Sequence, residues 1–416
     1  MNPVLALGLV AAGGIAITYL PRLRGIRFPR ANLVIATGAA PLVLLGVLLG
    51  PGIGLLEPAV LRTLAPVTAL AIGWVGAVFG SRFEWRVVRR IPRAGWTIVL
   101  VQAAAVFGLV GLGAWLFAHW RPELAEAWTP TLPAILMLAA VATVSGPAVA
   151  ALVARAAGAR PTLANAIGLA AALDTACGVL GFTVAIALLP YHAAALGAVL
   201  AWGGWLFRAV GSGILTGALF VWLTRAEPAA DMDLWLLGTL LLGAGVAYAA
   251  GLSPFVLCTV AAGVMVNFSA QRRRVERALH AWARPIETIL LIIAGALLRL
   301  STPWLLVAVP VLAALRVLGK WAPVRWARGI LVPAFLRRDA GLATVAQGGI
   351  AIALAVNYSI AHGGAAAGNV VTTIVLGVVC AQLAAPPLMI RALRSPPTAP
   401  PRAPSPAAPA PLPEAG

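Results

Sequence analysis

The chain has 416 residues, of which 61% are hydrophobic and only 10% charged, and its mean hydropathy is +0.96. A soluble protein carries roughly 25% charged residues, so a water-soluble globular class is excluded. The net charge of +18 would fit nucleic-acid binding if it covered one face, but the charges fall in short segments between apolar stretches, which excludes that partner.

Thirteen apolar spans follow in chain order, at about 3–20, 32–50, 58–80, 95–118, 132–156, 162–189, 206–224, 232–250, 254–268, 283–299, 303–322, 339–357 and 366–390. Most are long enough, at about 1.5 Å per helical residue, to cross a hydrocarbon core of roughly 30 Å. Membrane β-barrel strands are about 10 residues long and alternate in hydrophobicity, so the fold class is all-α and polytopic. The first span has no basic segment before it and four arginines just after it, and reads as a helix with its amino terminus outside rather than a cleaved signal. The loops after odd-numbered spans, together with the tail, carry 24 of the 30 basic residues. That asymmetry predicts an outer amino terminus and a cytoplasmic carboxyl terminus. The spans predict one transmembrane domain over 1–394, with a disordered Pro/Ala-rich tail over 395–416. Cys177, Cys258 and Cys380 all lie inside spans, so neither disulfides nor a resident metal is expected, and no cofactor motif is present. The partners expected are the lipid bilayer and the transported solute.

Two spans are interrupted. The fifth reads ATVSGPAVAALVAR, with Gly146-Pro147 in mid-membrane and Thr143 and Ser145 beside them. Proline removes a backbone donor and glycine loosens the chain, which predicts a kink or an unwound turn. The twelfth reads GLATVAQGGIAIALAV and is broken by Gln347, Gly348 and Gly349. Being seven spans apart, the two cross the bilayer in opposite directions. Interrupted helices in inverted, corresponding positions point to the midplane site of a secondary transporter. The broken ends leave unpaired backbone dipoles in a low dielectric, which charged side chains can balance.

The charges inside spans are few. Asp174, in AALDTACGVL, is the only acid deep within one, at a cost of about 2.5–3.5 kcal/mol on insertion scales. A buried carboxylate of this kind can hold a proton or a cation. Its expected counter-charges are Arg316 and Lys320 in LAALRVLGKWAPVRW, four apart and so on one helix face. Counted from the outer end of their span, they lie roughly 20 Å and 27 Å deep. For Lys320 the alternative is snorkelling to the inner surface. Glu287 is read as an interfacial residue about one turn into its span. Arg208 has no assigned role. Asp231, Asp233 and Asp339 mark helix starts, where acids complement the dipole.

With these residues in place, the chain resembles the monovalent cation:proton antiporter superfamily over about residues 32–390. GVLLGPGIGLL (46–56), ATVSGPAVAALV (142–153), AALDTACGVLG (171–181), AAGLSPFVLCTVAAGVMVN (249–267), RPIETILLIIAGALL (284–298) and RVLGK (316–320) match in kind and order. The resemblance implies an inverted-repeat fold with two crossed discontinuous helices. It also implies a mobile core, drawn over about 95–189 and 283–390, that moves like an elevator past a dimerisation domain, and a homodimer in a bacterial inner membrane. It implies further that Arg316 compensates the crossed helices or pairs with an acid. Family members usually carry two acids, or Asn-Asp, where this chain has Asp174-Thr175. Either Asp174 takes over the ligand role, with Thr175, Thr143 and Ser145 adding neutral oxygens, or the site binds its ion unusually or not at all.

The function expected is exchange of protons for a monovalent cation, sodium or potassium, by competition at Asp174. Arginine stays protonated, so a lone titrating carboxylate predicts electroneutral 1:1 exchange. The alternatives are an anion carrier using Arg316 and a transport-inactive sensor on the same scaffold. An enzyme is not expected, because none of the four histidines is deep within a span.

Overall fold

The computed structural model describes residues 39–91, 93–189, 195–225, 232–326 and 338–394, with single positions between 8 and 14. The first span and the 395–416 tail fall largely or wholly outside the described residues.

The described elements are helical throughout. Helix α1 (Ala39–Val47) runs into a wide π turn over Leu48–Gly52. It is followed by α2 (Ala65–Gly80), α3 (Arg93–Trp120), α4 (Thr131–Thr143), α5 (Pro147–Ala156) and α6 (Pro161–Leu188). Then come α7 (Ala195–Leu223), α8 (Met232–Ala249), α9 (Pro254–Phe268), α10 (Arg272–Ala296) and α11 (Trp304–Trp326). A 3-10 turn over Ala340–Thr344 leads to α12 (Gly349–His362) and α13 (Gly364–Arg394). Among the described residues, eight segments are long and apolar enough to cross a membrane, and four shorter apolar helices accompany them.

Both predicted interruptions are real breaks. The fifth span is two helices, α4 and α5, joined by extended residues, with Val144 at φ −59°, ψ 129° and Gly146 at φ −89°, ψ 98°. Pro147 then opens α5 at a position where its missing N–H costs nothing. In the twelfth, Gly348 is extended at φ −141°, ψ −167° immediately before α12.

Two expected boundaries move. The basic stretch QRRRVERALHAWAR is not a loop but the first half of α10, because Val275, Ala278 and Leu279 recur at helical spacing and are buried while the arginines point outward. Helix α7 begins by Ala195, eleven residues before the predicted 206, and this places Arg208 well inside it on an exposed face.

The helices pack in two groups. Helices α2, α8, α9 and α10 pack on one another, with α1 against α10 and α7 against α8 and α9. Close contact there depends on small residues: a Cβ at Gly76 or Gly80 would lie 2.3 Å from Phe255 O and 2.0 Å from Thr259 O. The second group holds α3 to α6, α11, the 3-10 turn and α13. Helix α12 touches both groups, reaching α13 on one side and α2 and α10 on the other. The stretch 283–296, placed in the core on sequence, belongs to α10 and packs with α1 and α2; Gly46 of α1 and Gly295 of α10 let the backbones of those two helices approach closely.

A charged crossing of two broken helices

The two breaks meet back to back. Gly146 N donates to Ala346 O at 2.8 Å, and a Cβ on Gly146 would lie 2.8 Å from Gly348 N. Only a residue without a side chain allows backbones this close. The Gln347 side chain donates to Val141 O at 3.0 Å and ties the second break to the end of α4.

A helix break strands carbonyls at one end and amides at the other. Arg316, from α11, takes the carbonyls: Nε donates to Ala142 O at 2.7 Å, Nη2 to Val144 O at 3.1 Å and Nη1 to Val345 O at 2.6 Å. A planar guanidinium with five donors suits three acceptors on two separate segments. These bonds go to the carbonyl ends of both broken segments, as in one of the two roles the resemblance allowed, and among the described residues Arg316 donates no hydrogen bond to an acid.

The partner of Asp174 is Lys320, one turn further along α11. Lys320 Nζ donates to Asp174 Oδ2 and also to Thr143 O at 3.0 Å and Ser145 Oγ at 3.1 Å. Both side chains of the pair are fully buried, so Lys320 does not snorkel. Ser145 Oγ lies 3.1 Å from Asp174 Oδ2 and 2.8 Å from Thr344 O, and its single proton serves one of them. Asp174 Oδ1 is buried without a hydrogen-bond partner among the described residues.

The neutral oxygens expected beside Asp174 are only partly there. Ser145 contributes its hydroxyl. Thr143 contributes its carbonyl, its own hydroxyl turning back to Ala140 O at 2.7 Å. Thr175 Oγ1 lies 2.6 Å from Ser145 O and 2.7 Å from Ala171 O, and accepts from Ser145 N at 3.3 Å, so it pins the break to α6. Sequence reasoning missed Gln102, which donates to Lys320 O at 2.7 Å, and the carbonyls of Ala142, Val144, Thr344 and Val345. No sequence signal exists for a main-chain oxygen; for Gln102, the signal was an amide inside an apolar span.

Glu287 is not simply interfacial. From α10 its Oε1 accepts from Gly349 N at 2.8 Å, capping the amino terminus of α12. Arg208 donates only a long contact, Nε to Gly204 O at 3.4 Å, among the described residues. Asp339 stands before the 3-10 turn without a side-chain cap bond to it; its carboxylate receives Trp321 Nε1 at 2.8 Å and Arg391 Nε at 3.3 Å, joining the ends of α11 and α13.

Two inverted broken helices crossing at a buried ion pair define an antiporter-type secondary transporter. The family profile described as "Sodium/hydrogen exchanger, transmembrane" matches residues 12–392. The chain belongs to that family, within the monovalent cation:proton antiporters, and is a multi-pass membrane protein of a transporter class. The fold is similar to that of the sodium proton antiporter MjNhaP1 from Methanocaldococcus jannaschii at pH 8. The TM-score is 0.67 at 13% identity, over 95% of this chain and 99% of that one. An electron-microscopy structure of the same antiporter gives a TM-score of 0.62 at 14% identity, over 93% and 97% of the two chains. No sequence relative is found among curated proteins.

Proposed function

We propose that the chain exchanges protons for an alkali cation, sodium before potassium, at the Asp174–Lys320 pair. The observation that carries this reading is the fully buried ion pair at the crossing, with Asp174 Oδ1 left unpartnered. Around it lie Asp174 Oδ2, Ser145 Oγ and the carbonyl of Thr143. Oxygen ligands of this kind suit hard cations. A cation that displaces the Lys320 ammonium meets those same oxygens, with Thr175 holding Ser145 in place.

The partner also decides the proton. Lysine can release its proton inside a protein, whereas arginine cannot. Two states of the site carry no net charge: ionised Asp174 with protonated Lys320, and ionised Asp174 with neutral Lys320 and one cation. An uncompensated charge in a low-dielectric interior is the expensive alternative. Alternation between the neutral states swaps one proton for one cation. The exchange is then electroneutral, as a lone carboxylate would also give, with Lys320 and not Asp174 as the proton carrier. Arg316, already committed to three carbonyls, has little left for an anionic substrate, which weighs against the anion carrier. The group of α3 to α6, α11 and α13 carries the site past the other group in an elevator-like step. By resemblance, the protein works as a homodimer in a bacterial inner membrane, with its basic loops in the cytoplasm.

The test is proton movement in proteoliposomes containing an internal pH dye, on addition of sodium, potassium or lithium. Wild type moves protons with at least one cation, at a rate unaffected by imposed voltage, and Asp174→Asn does not. Silence of the wild type with every cation would overturn the reading. A rate that follows voltage would overturn the stoichiometry alone.

A further inference from the structure

The charges at the crossing do not balance without a fourth residue. Arg316 and Lys320 bring two positive charges, both buried, and Asp174 brings one negative. The positive ends of α5 and α12 also point into this region, since both helices begin at the breaks. A cation arriving at Asp174 would therefore enter a site already positive. Arg316 and Lys320 cancel the carbonyl ends of α4 and the 3-10 turn, through Ala142 O, Thr143 O, Val144 O and Val345 O. On the amide side, Asp174 lies against Ser145, two residues before α5. The corresponding place at α12 is taken by Glu287, whose Oε1 receives Gly349 N at 2.8 Å.

The fit at Gly349 is close. A Cβ there would lie 2.1 Å from Glu287 Oε1 and 2.5 Å from its Cδ, so any side chain would displace the carboxylate. Gly348, the preceding residue, lies against Gly146 across the crossing, so Glu287 is one residue removed from the meeting of the two breaks. Glu287 also comes from α10, in the other packing group. Arg284, one turn earlier on α10, is exposed.

We infer that Glu287 is a positioning residue for cation exchange: its negative charge offsets the amino terminus of α12 and brings the crossing to neutrality, and so sets the affinity of Asp174 for its cation. This rests on the reading of Asp174 as the exchange site. The charge acts at a distance through α12 and need not touch the cation. It belongs in the KM for the cation and leaves the maximal rate largely intact.

Glu287→Gln separates charge from hydrogen bonding, because the amide oxygen can still accept from Gly349 N. In proteoliposomes at fixed pH, Glu287→Gln is expected to raise the KM for sodium about fivefold or more with kcat within about twofold, a shift of roughly 1 kcal/mol in cation binding. Glu287→Asp should recover part of the affinity, and Gly349→Ala, which displaces the carboxylate without removing it, should raise KM in the same direction. A KM for Glu287→Gln within twofold of wild type, with thermal stability lost only in Glu287→Ala, would reduce Glu287 to a neutral helix cap and overturn the inference. Asp174→Asn separates the two failures. If that variant still exchanges, the underlying reading falls whatever Glu287 does; if it is dead and Glu287→Gln is normal, only the role of Glu287 falls.

Discussion

Lys320 and Asp174 share a fully buried site in which, among the described residues, each is the other's only opposite charge by direct contact. Removing one member of such a pair costs about 3–5 kcal/mol, since the other is left buried and uncompensated. Loss of exchange in a charge-deleting variant therefore has two causes, and the informative change keeps the charge. Lys320→Arg keeps it but cannot release a proton. If Lys320 carries the proton, this variant still inserts and folds, and its sodium-driven proton flux falls by about tenfold or more. Wild-type flux from Lys320→Arg would return the proton to Asp174. Sequence reading named both residues as counter-charges of Asp174 and did not assign the acid to either one. Both lie on one face of α11, four residues apart, and spacing alone does not decide which of two cations reaches the acid.

Each break becomes tolerable only against the other. Gly146, Gly348 and Arg316 supply what a single helix supplies for itself, namely close backbone contact and partners for stranded carbonyls. Substituting Gly146→Ala places a methyl 2.8 Å from Gly348 N and 2.9 Å from Gln347 C, both rigid main-chain atoms. Overpacking of this kind costs about 1–3 kcal/mol, and the expected result is a lower unfolding temperature in detergent together with reduced exchange. An unchanged melting temperature would mean that the crossing relaxes. At this scale much was legible in the sequence. Proline and glycine inside an apolar run have few structural readings, and both predicted breaks are present. The long α7 and the helical start of α10 were missed for opposite reasons. Arg208 and Trp residues diluted the apolar signal of the first, and arginines on one face masked the apolar stripe of the second.

At the scale of the whole molecule, α12 packs on both groups, and it is also the half-helix that starts at the crossing. Any relative movement of the two groups must rearrange its contacts with α2 and α10, Gly349–Glu287 among them. The order of the spans was readable from hydropathy. Their grouping was not: α10 sits with helices more than 200 residues earlier, a long-range contact made by Gly46 and Gly295 that no local pattern announces. The site's dependence on main-chain oxygens has the same effect, since Ala142, Val144 and Val345 contribute through their carbonyls and not their side chains.

Lys320 is the only lysine in the chain. Its ammonium is therefore the sole side-chain primary amine in the protein, and in this conformation it is fully buried. An amine-modifying reagent thus has one internal target, reachable only when the site opens to water. Covalent labelling of Lys320, read by mass spectrometry, should be slow in this state, and alkali cations that favour its neutral, nucleophilic form should alter the rate. Labelling independent of every cation would mean that the pair never separates.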